Sequence, residues 1–286
     1  MSIFRFSLTV ALLGVACALP VSRSGAATTV TQILPQTGSP VVGPWYETDV
    51  QGGATIGIVD LAGVGGNLET AQPLPTGAGK ITTPPVDTSG RAQAYTYNDF
   101  GDAATFLNNV TMGYSYYKST NPSNPSAAPS LKIQIAATGG TGDNFGTLIY
   151  EPYWQGATPT PDAWQSVSIA ATDGVGASGS GGWWWNGGFE TANGAGGPPI
   201  LSLTEWAAAF LANDPIDFAT ARVIAIGIGE GTFNVGEVSY FDNISYAIAG
   251  GGETWDFQAI PEPASLALAG AAAIGMIAVR RRQRRA

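Results

Sequence analysis

Short stretches in which apolar residues recur at every second position dominate the middle of the chain. Val110, Met112, Tyr114 and Tyr116 are separated by single small residues, and this period of two predicts a β-strand with one buried face. Such stretches recur between clusters of Gly, Pro, Asn and Ser, which is typical of an antiparallel sandwich. We therefore predict an all-β fold with about ten short strands. The predicted strands are Ala54–Leu61, Ala92–Tyr97, Val110–Tyr116, Leu131–Ile135, Thr147–Trp154, Trp164–Ala170, Gly182–Trp185, Arg222–Ile228, Glu237–Ile248 and Thr254–Gln258.

One segment has the period of a helix instead. Ser202 and Glu205 form a capping-box pair, in which each side chain binds the backbone amide of the other residue. Asn213 and Pro215 are typical of the end of a helix. We expect this short helix to pack over an edge of the sandwich or to fill an open end. Its apolar positions, spaced i, i+3, i+4, i+7 and i+8, are Leu203, Trp206, Ala207, Phe210 and Leu211.

Residues 1–27 have the organisation of a secretory signal peptide. Arg5 supplies the positive start, an apolar run from Phe6 to Leu19 follows, and the small residues before the end suit cleavage after Ala26 or Ala27. The apolar run is shorter than the roughly 20 residues that a membrane-spanning helix needs. We therefore predict export and removal of this segment rather than permanent anchoring.

Residues 260–286 consist of three parts. A Pro-Glu-Pro motif comes first, an apolar run of 16 residues from Ala264 to Val279 follows, and an arginine-rich tail ends the chain. A helix of that length rises about 24 Å, slightly less than the hydrocarbon core of about 30 Å, and the arginines favour the cytoplasmic side. We predict a transmembrane sorting helix between two signals, of which the first is Pro261, Glu262 and Pro263 and the second begins with Arg280, Arg281 and Arg282.

This three-part end resembles the PEP-CTERM sorting signal of exported bacterial proteins. The resemblance implies recognition by an exosortase, a membrane protease, followed by release or transfer to the outside. It also implies an envelope of the Gram-negative type and an association with secreted polysaccharide. We therefore expect a protein of the cell surface or extracellular matrix that is anchored transiently, through the C-terminal helix alone. The alternative is an ordinary C-terminal tail anchor.

Between these ends, residues 28–259 form the predicted ectodomain, which is acidic. The ectodomain contains 20 acidic and five basic residues and therefore has a net charge of −15. Nucleic acid is excluded as a partner, because binding it needs clusters of Lys and Arg. The chain has no histidine, which excludes the Ser-His-Asp and Cys-His nucleophile systems. Its single cysteine, Cys17, lies in the predicted signal peptide, so no internal disulfide forms.

Five segments within residues 45–257 combine aromatic residues with polar neighbours in a characteristic order. That order resembles exported bacterial jelly-roll domains, which are distant relatives of galactose-binding-like and carbohydrate-binding β-sandwiches. The resemblance implies an antiparallel jelly-roll β-sandwich and a sugar ligand. The segments are Leu148–Tyr153, Trp164–Ser166, Trp183–Trp185, Ser202–Trp206 and Tyr240–Ile244.

One carboxylate is predicted to lie on a buried face. Asp242 shares its parity with Tyr240 and Ile244, so strand alternation buries it, and an unpaired buried carboxylate is costly. A bound cation, an ion pair with Arg222, or a β-bulge or backbone hydrogen bonds would each compensate. Domains of the resembled type often hold a structural Ca²⁺ near an aspartate of the last strand. This makes Asp242 the candidate metal ligand and Ca²⁺ the one candidate cofactor.

A run of three tryptophans is the candidate glycan-binding feature. Trp183, Trp184 and Trp185 are consecutive, so a strand directs two of them to one face and one to the other. Tyr153 and Trp154 belong to a neighbouring predicted strand. Exposed aromatic rings of this kind stack on the apolar faces of sugars, whereas buried ones form the core that a sandwich of this size requires. Both interpretations remain open at this point.

The acidic residues leave an enzyme as the second interpretation. Glu151, Glu190 and Glu205 lie beside aromatic residues, and a glycosidase needs two carboxyl groups at a defined separation that sequence does not report. We predict a non-catalytic exported surface or matrix protein with polysaccharide as its expected ligand. The alternatives are a polysaccharide-active hydrolase or lyase and a purely structural surface protein.

Overall fold

Two β-sheets of seven strands each lie face to face in the described part of the chain. This computed structural model describes residues 26–121, 124–138, 144–156, 158–174, 182–191 and 197–260. The predicted signal peptide up to residue 25, and the motif, helix and arginine tail predicted after Ile260, lie outside these residues. No helix within the described ranges has the length and apolar character that crossing a membrane requires. The predicted all-β jelly-roll sandwich is confirmed.

Sheet A contains the longest strand described and its neighbours: β1 (Thr28–Val30), β4 (Thr55–Asp60), β5 (Gly77–Thr82), β7 (Thr111–Lys118), β10 (Trp164–Ala170), β13 (Val238–Ile248) and β14 (Gly251–Phe257). One edge of β13 pairs with β7, which pairs in turn with β10. The other edge of β13 pairs first with β5 and then with β14. β4 continues the sheet beyond β5, and β1 runs parallel to β14.

Sheet B contains the other seven strands: β2 (Ile33–Pro35), β3 (Trp45–Gln51), β6 (Arg91–Tyr97), β8 (Ser130–Ala137), β9 (Phe145–Tyr150), β11 (Trp184–Gly187) and β12 (Ala221–Glu230). Their order across the sheet is β11-β9-β8-β12-β6-β3-β2. All of these pairs are antiparallel except β2 with β3.

The inner faces of the two sheets share one apolar core. The ring of Tyr114 in sheet A lies 6.3 Å from that of Tyr150 in sheet B, and Trp45 in sheet B lies 5.0 Å from Phe257 in sheet A. These edge-to-face contacts are the arrangement that aromatic rings prefer. The period of two predicted for β8 is confirmed, because every second residue is fully buried in this core: Leu131, Ile133 and Ile135.

The predicted helix is α3 (Leu203–Asn213), and its capping box is confirmed. The Ser202 side chain accepts a hydrogen bond from the Glu205 amide, and the Glu205 carboxylate accepts one from the Ser202 amide. The remaining helical segments are short: α1 (Gly66–Thr70), α2 (Ala103–Asn109), a 3-10 helix (Pro152–Gln155) and α4 (Pro215–Phe218).

α3 packs against the inner face of the edge strand β11. The Trp206 indole donates a hydrogen bond to the Trp183 carbonyl at 2.8 Å, and the Phe210 ring lies 4.6 Å from that of Trp185. Phe189 and Phe218 complete this aromatic group. The helix therefore covers the edge of the sandwich, which is one of the two positions predicted for it.

Candidate functional site

The outer face of sheet B carries a line of side chains that crosses six strands. Residues directly opposite each other in a paired sheet share a face, and neighbouring strands lie about 4.8 Å apart, so the line is about 24 Å long. The residues at its two ends, Trp184 and Tyr46, are half-buried, whereas the residues between them are buried by neighbouring side chains. The line consists of Trp184, Ile149, Lys132, Gly227, Tyr95 and Tyr46.

Trp183 and Trp185 lie on the opposite side of the strand and are fully buried in the core. The Trp183 ring packs 5.6 Å from that of Tyr150, and the Trp185 indole donates a hydrogen bond to the Gly188 carbonyl at 3.0 Å. Their expected role in glycan binding is therefore wrong, because neither ring is accessible. The predicted division of the three tryptophans between two faces is confirmed, and Trp184 is the one on the outer face.

Trp184 belongs to a polar cleft that we define as Lys132, Glu151, Trp154 and Trp184. Lys132 is only 5% exposed, and burial lowers its pKa to about 8 against the opposing effect of the Glu151 charge. Burial also raises the pKa of Glu151, while Lys132 and the indole N–H groups of Trp184 and Trp154 lower it. Both indole nitrogens are buried beside Glu151, and neither makes a hydrogen bond of regular geometry with a described residue.

Tyr153 provides the exposed aromatic ring beside the cleft. It lies with Trp154 on the 3-10 helix that follows β9, and 41% of its surface is exposed. The two rings lie 4.5 Å apart at an angle of 37°. The structure therefore brings Tyr153, Trp154 and Trp184 to the neighbourhood of one carboxylate, Glu151, although Tyr153 and Trp154 lie on a 3-10 helix and not on the neighbouring strand predicted for them.

Tyrosines cover the opposite half of the line. The Tyr95 ring packs against Gly227, where a Cβ atom would stand 2.3 Å from Tyr95 Cδ1. The Tyr97 ring lies 6.3 Å from that of Tyr95 and 6.2 Å from that of Tyr46. The Tyr95 hydroxyl donates a hydrogen bond to Gln93 Oε1 at 2.9 Å. These tyrosines were not among the predicted binding residues, although Tyr95 and Tyr97 share one parity of a predicted strand.

A cavity of about 350 Å³ lies at the β2–β3 end of the sheet. Its acidic wall includes Glu47 and Asp49, and Asp49 binds Arg91 at 2.7 Å. Asp49 Oδ2 also accepts a hydrogen bond from Gln93 at 3.0 Å. This end of the sheet is therefore polar, and the arginine beside it, Arg91, is already paired with Asp49.

Asp242 is fully buried, as predicted, but not in the core between the sheets. Tyr240 packs in a small apolar cluster on the outer face of sheet A, whereas Phe241 and Ile244 both belong to the main core. The register between β13 and β7 shifts after Asp242, and Asn243 has a φ of 53°. A β-bulge therefore breaks the alternation at this point.

The bulge lies where β13 exchanges β5 for β14 as its partner. Asp242 Oδ1 accepts a hydrogen bond from the Phe257 amide at 3.0 Å, and Oδ2 has no hydrogen-bond partner among the described residues. Burial raises the pKa of Asp242 to about 7, while the amides of Phe257, Asn243 and Leu74 oppose this increase. Of the predicted alternatives, the bulge with backbone hydrogen bonds agrees with the structure.

The surroundings of Asp242 do not fit a calcium ion. Calcium binds oxygen atoms, whereas the groups directed at this carboxylate are amide N–H donors. No three acidic side chains come together to hold a metal ion in the described ranges. The ion pair with Arg222 is also wrong, because Arg222 binds Asp99 at the surface with a nitrogen–oxygen distance of 2.6 Å.

The three carboxylates considered for catalysis have separate surroundings. Glu205 is used by the capping box of α3, and hydrogen bonds from Ser202 lower its pKa. Glu151 belongs to the polar cleft, and Glu190 follows β11 with a φ of 47°. No hydrogen bond described in the structure joins Glu151 to Glu205.

A buried charged cluster, which the sequence did not predict, lies where β7 and β12 end. Lys118 binds Glu237 at 2.8 Å with both side chains almost fully buried, and Ser239 donates a hydrogen bond to the neighbouring Glu230. Glu230 Oε2 and Glu237 Oε1 have no partner among the described residues. Glu230 has the parity of Ile226 in β12, so alternation could have predicted its burial.

Comparison with protein families identifies the end of the chain. Residues 259–282 match the PEP-CTERM protein-sorting motif. The chain carries a sorting signal. This match confirms the resemblance inferred from the Pro-Glu-Pro motif, the apolar run and the arginine tail, and it indicates export and sorting to the cell surface. Among curated proteins, none matches this chain.

Solved structures with some similarity include carbohydrate-binding modules. A family 30 module has 10% identity and a TM-score of 0.39, over 82% of this chain and 91% of that one. The family 30 module of a cellulosomal cellulase from Clostridium thermocellum has 7% identity and a TM-score of 0.37, over 64% and 82%. TmCBM61 in complex with β-1,4-galactotriose has 10% identity and a TM-score of 0.32, over 72% and 88%. Similarity at this level supports no transfer of ligand or function.

Proposed function

We propose that this protein is a non-catalytic exported protein of the cell surface or extracellular matrix that binds polysaccharide on the outer face of sheet B. An exosortase-type membrane protease is its proposed processing partner. Residues 1–27 are the signal peptide, residues 28–259 the ectodomain and residues 260–286 the sorting signal with its transmembrane helix. The observation that carries the proposal is the grouping of Tyr153, Trp154 and Trp184 around a polar cleft on one sheet face.

Such a grouping suits sugar binding because it combines apolar rings with hydrogen-bonding groups. Tyr153 is exposed, and Trp154 and Trp184 are half-buried, so their rings can cover the apolar face of a sugar. Tyr46 and Tyr97 provide further half-buried rings at the other end of the line. A line of about 24 Å across the sheet suits an extended chain rather than a single small molecule.

Binding to soluble polysaccharides, measured by affinity electrophoresis, tests the proposal. We expect Tyr153→Ala and Trp184→Ala to weaken binding roughly tenfold or more, since aromatic anchors dominate such contacts. Phe233→Ala is the matched control, because Phe233 is 74% exposed on the loop between β12 and β13 and is not part of the line of side chains described above. Equal binding by all of these variants, or no binding by the parent chain, would refute the proposal.

A reducing-sugar assay tests the claim that no catalysis occurs. We expect no sugar release from any polysaccharide that the protein binds. Release that disappears in Glu151→Gln would instead establish the enzyme interpretation. Sorting is tested by cell fractionation in an exosortase-containing host, where Glu262→Ala should remain with the membrane fraction while the parent chain reaches the surface or medium.

A further inference from the structure

One edge of sheet A has no partner strand. β10 pairs with β7 along all seven of its residues without a shift in register, and no other described strand pairs with it. Among the edge strands in the described ranges, β4 has six residues, β11 has four, and β1 and β2 have three each. β10 therefore presents the longest open backbone edge of the described sandwich.

The backbone groups on this open edge follow from the geometry of the ladder. The Ser119 amide donates a hydrogen bond to the Val238 carbonyl at 2.9 Å, so odd-numbered residues of β7 face β13 and even-numbered ones face β10. In agreement, the Lys118 carbonyl accepts a hydrogen bond at 2.7 Å from the Asp162 amide, just before β10. Even-numbered residues of β7 lie opposite odd-numbered residues of β10, so the even-numbered residues of β10 face outwards. The outward-facing residues without a backbone partner among the described residues are Trp164, Ser166 and Ser168.

β10 lacks the features that keep edge strands from pairing with other chains. Natural edge strands are short or bulged, or they carry a charged residue or a proline. Residues 163–172 contain neither a charged residue nor a proline, in an ectodomain whose net charge is −15. Ser166 and Ser168 are exposed on the outer face, and Val167 on the inner face is only half-buried. The edge is therefore accessible to a further strand.

We infer that β10 is a dimerisation edge, which pairs antiparallel with β10 of a second copy of this chain. A two-fold axis through Ser166 places this residue opposite its own counterpart and Trp164 opposite Ser168 of the partner subunit. Each such pair exchanges two hydrogen bonds, so three pairs satisfy all the outward-facing groups. The Trp164 ring does not obstruct the partner, because it lies 5.8 Å from the Tyr117 ring of β7 and its indole donates a hydrogen bond to the Leu68 carbonyl at 3.1 Å.

The charge distribution favours a second copy at this edge. Two ectodomains of net charge −15 repel each other over most of their surface, and the uncharged residues 163–172 are where they approach at least cost. The side chains that meet across the axis are small or uncharged, and the pairing covers the half-exposed Val167. An interface of one strand pair is small, so we expect a weak dimer that higher ionic strength strengthens by screening the repulsion.

Dimerisation would also double the binding surface. The axis is perpendicular to sheet A, so both copies of sheet B lie on the same side of the continuous sheet that the two copies form. Their outer faces then point in one direction and can contact the same polymer. Two linked faces bind one polymer more tightly than a single face does. This consequence rests on the proposed function, whereas the dimer itself does not.

Cysteine crosslinking of the full chain tests the pairing and its register. The Cα atoms of a hydrogen-bonded antiparallel pair lie about 5.5 Å apart, which a disulfide can bridge. In a Cys17→Ala background, we expect Ser166→Cys to form disulfide-linked dimers on mild oxidation in the expressing host. Ser168→Cys is the matched control on the same strand, because its two copies would lie about 14 Å apart along the paired strands. Equal crosslinking of both variants, or of neither, would overturn the inference.

Sedimentation velocity of the full chain in mild detergent measures the dimer directly. We expect the dimer fraction of the parent chain to rise with concentration and with salt. Ser166→Lys places two ammonium groups at the axis and should be monomeric, with the melting temperature of the parent. Val86→Lys adds the same charge at a residue that is 88% exposed, and it should dimerise as the parent does. A monomeric parent at every concentration, or a dimeric Ser166→Lys, would overturn the inference. Neither measurement uses a polysaccharide, so its failure is distinct from a failure of the proposed function.

Discussion

Replacing Glu230 with glutamine removes a buried carboxyl group whose pKa changes on folding. Glu230 ends β12 with 1% of its surface exposed, and burial raises its pKa from an ordinary 4.5 to about 8. The charge of Glu237 contributes to this increase, while Ser239 and Lys118 oppose it. Glutamine has almost the same shape and can still accept the Ser239 hydrogen bond, so the substitution removes the charge with little change in packing.

The sign of the effect follows from the raised pKa. Below about pH 4.5 Glu230 is protonated in the folded and unfolded chain alike, so it costs nothing. Between about 4.5 and 8 the unfolded chain releases the proton while the folded chain keeps it, so stability falls as the pH rises. Each pH unit in this window is worth about 1.4 kcal/mol, which amounts to on the order of 5 kcal/mol over the whole interval.

This loss is large compared with a typical unfolding free energy of about 5–15 kcal/mol. Denaturant unfolding at pH 5, 7 and 9 and constant ionic strength measures it. We expect Glu230→Gln to match the parent chain at pH 5 and to be more stable by several kcal/mol at pH 9. Glu253→Gln, a half-buried control on β14, should follow the parent at every pH. Parallel pH profiles for the parent chain and Glu230→Gln would refute the reasoning.

Three further results are expected. Asp242→Ala leaves the Phe257 amide unpaired and should lower the free energy of unfolding by about 1–3 kcal/mol at pH 5, as measured by denaturant unfolding. In the parent chain the raised pKa of Asp242 makes stability fall between about pH 4 and 7. Asp242→Asn should therefore flatten the pH dependence of the unfolding free energy in this interval. Chelation of divalent cations by EDTA should leave the melting temperature unchanged, and a fall would contradict the donor chemistry at Asp242. Gly227→Ala should destabilise the protein by about 1–3 kcal/mol, because the new Cβ would lie 2.3 Å from Tyr95. Gly57→Ala is the control and should destabilise the protein less, because the space around Gly57 is open. Equal losses of stability in the two variants would contradict the packing argument.

Strands with a clear alternation were predicted well, and those that depend on a distant partner were missed. Trp164–Ala170 was predicted with the bounds that the structure shows for β10. β5 (Gly77–Thr82) was missed because it contains two glycines, which disfavour strands. Its Gly79 is nevertheless required, since a Cβ there would lie 2.1 Å from the Phe241 ring of β13.

One predicted strand continued too far. The segment Thr147–Trp154 is strand up to Tyr150, where β9 ends, and a 3-10 helix begins at Pro152. Proline has no amide hydrogen for the sheet and holds a φ suited to a helical turn. This turn places Tyr153 and Trp154 beside the edge of sheet B rather than within it.

The sequence alone determined the sorting signal, the sandwich class, the helix with its capping box, and the separation of Trp184 from Trp183 and Trp185. All of these depend on residues close together in the chain, because alternation and capping are properties of the local backbone. The tertiary structure decided which tryptophans are buried, since α3 covers one side of β11, and it joined Glu151 to Lys132 by pairing strands. It also decided the position of Asp242, because the bulge forms where β13 meets two different partner strands. Burial depends on which distant segment covers a face, and no local pattern contains that information.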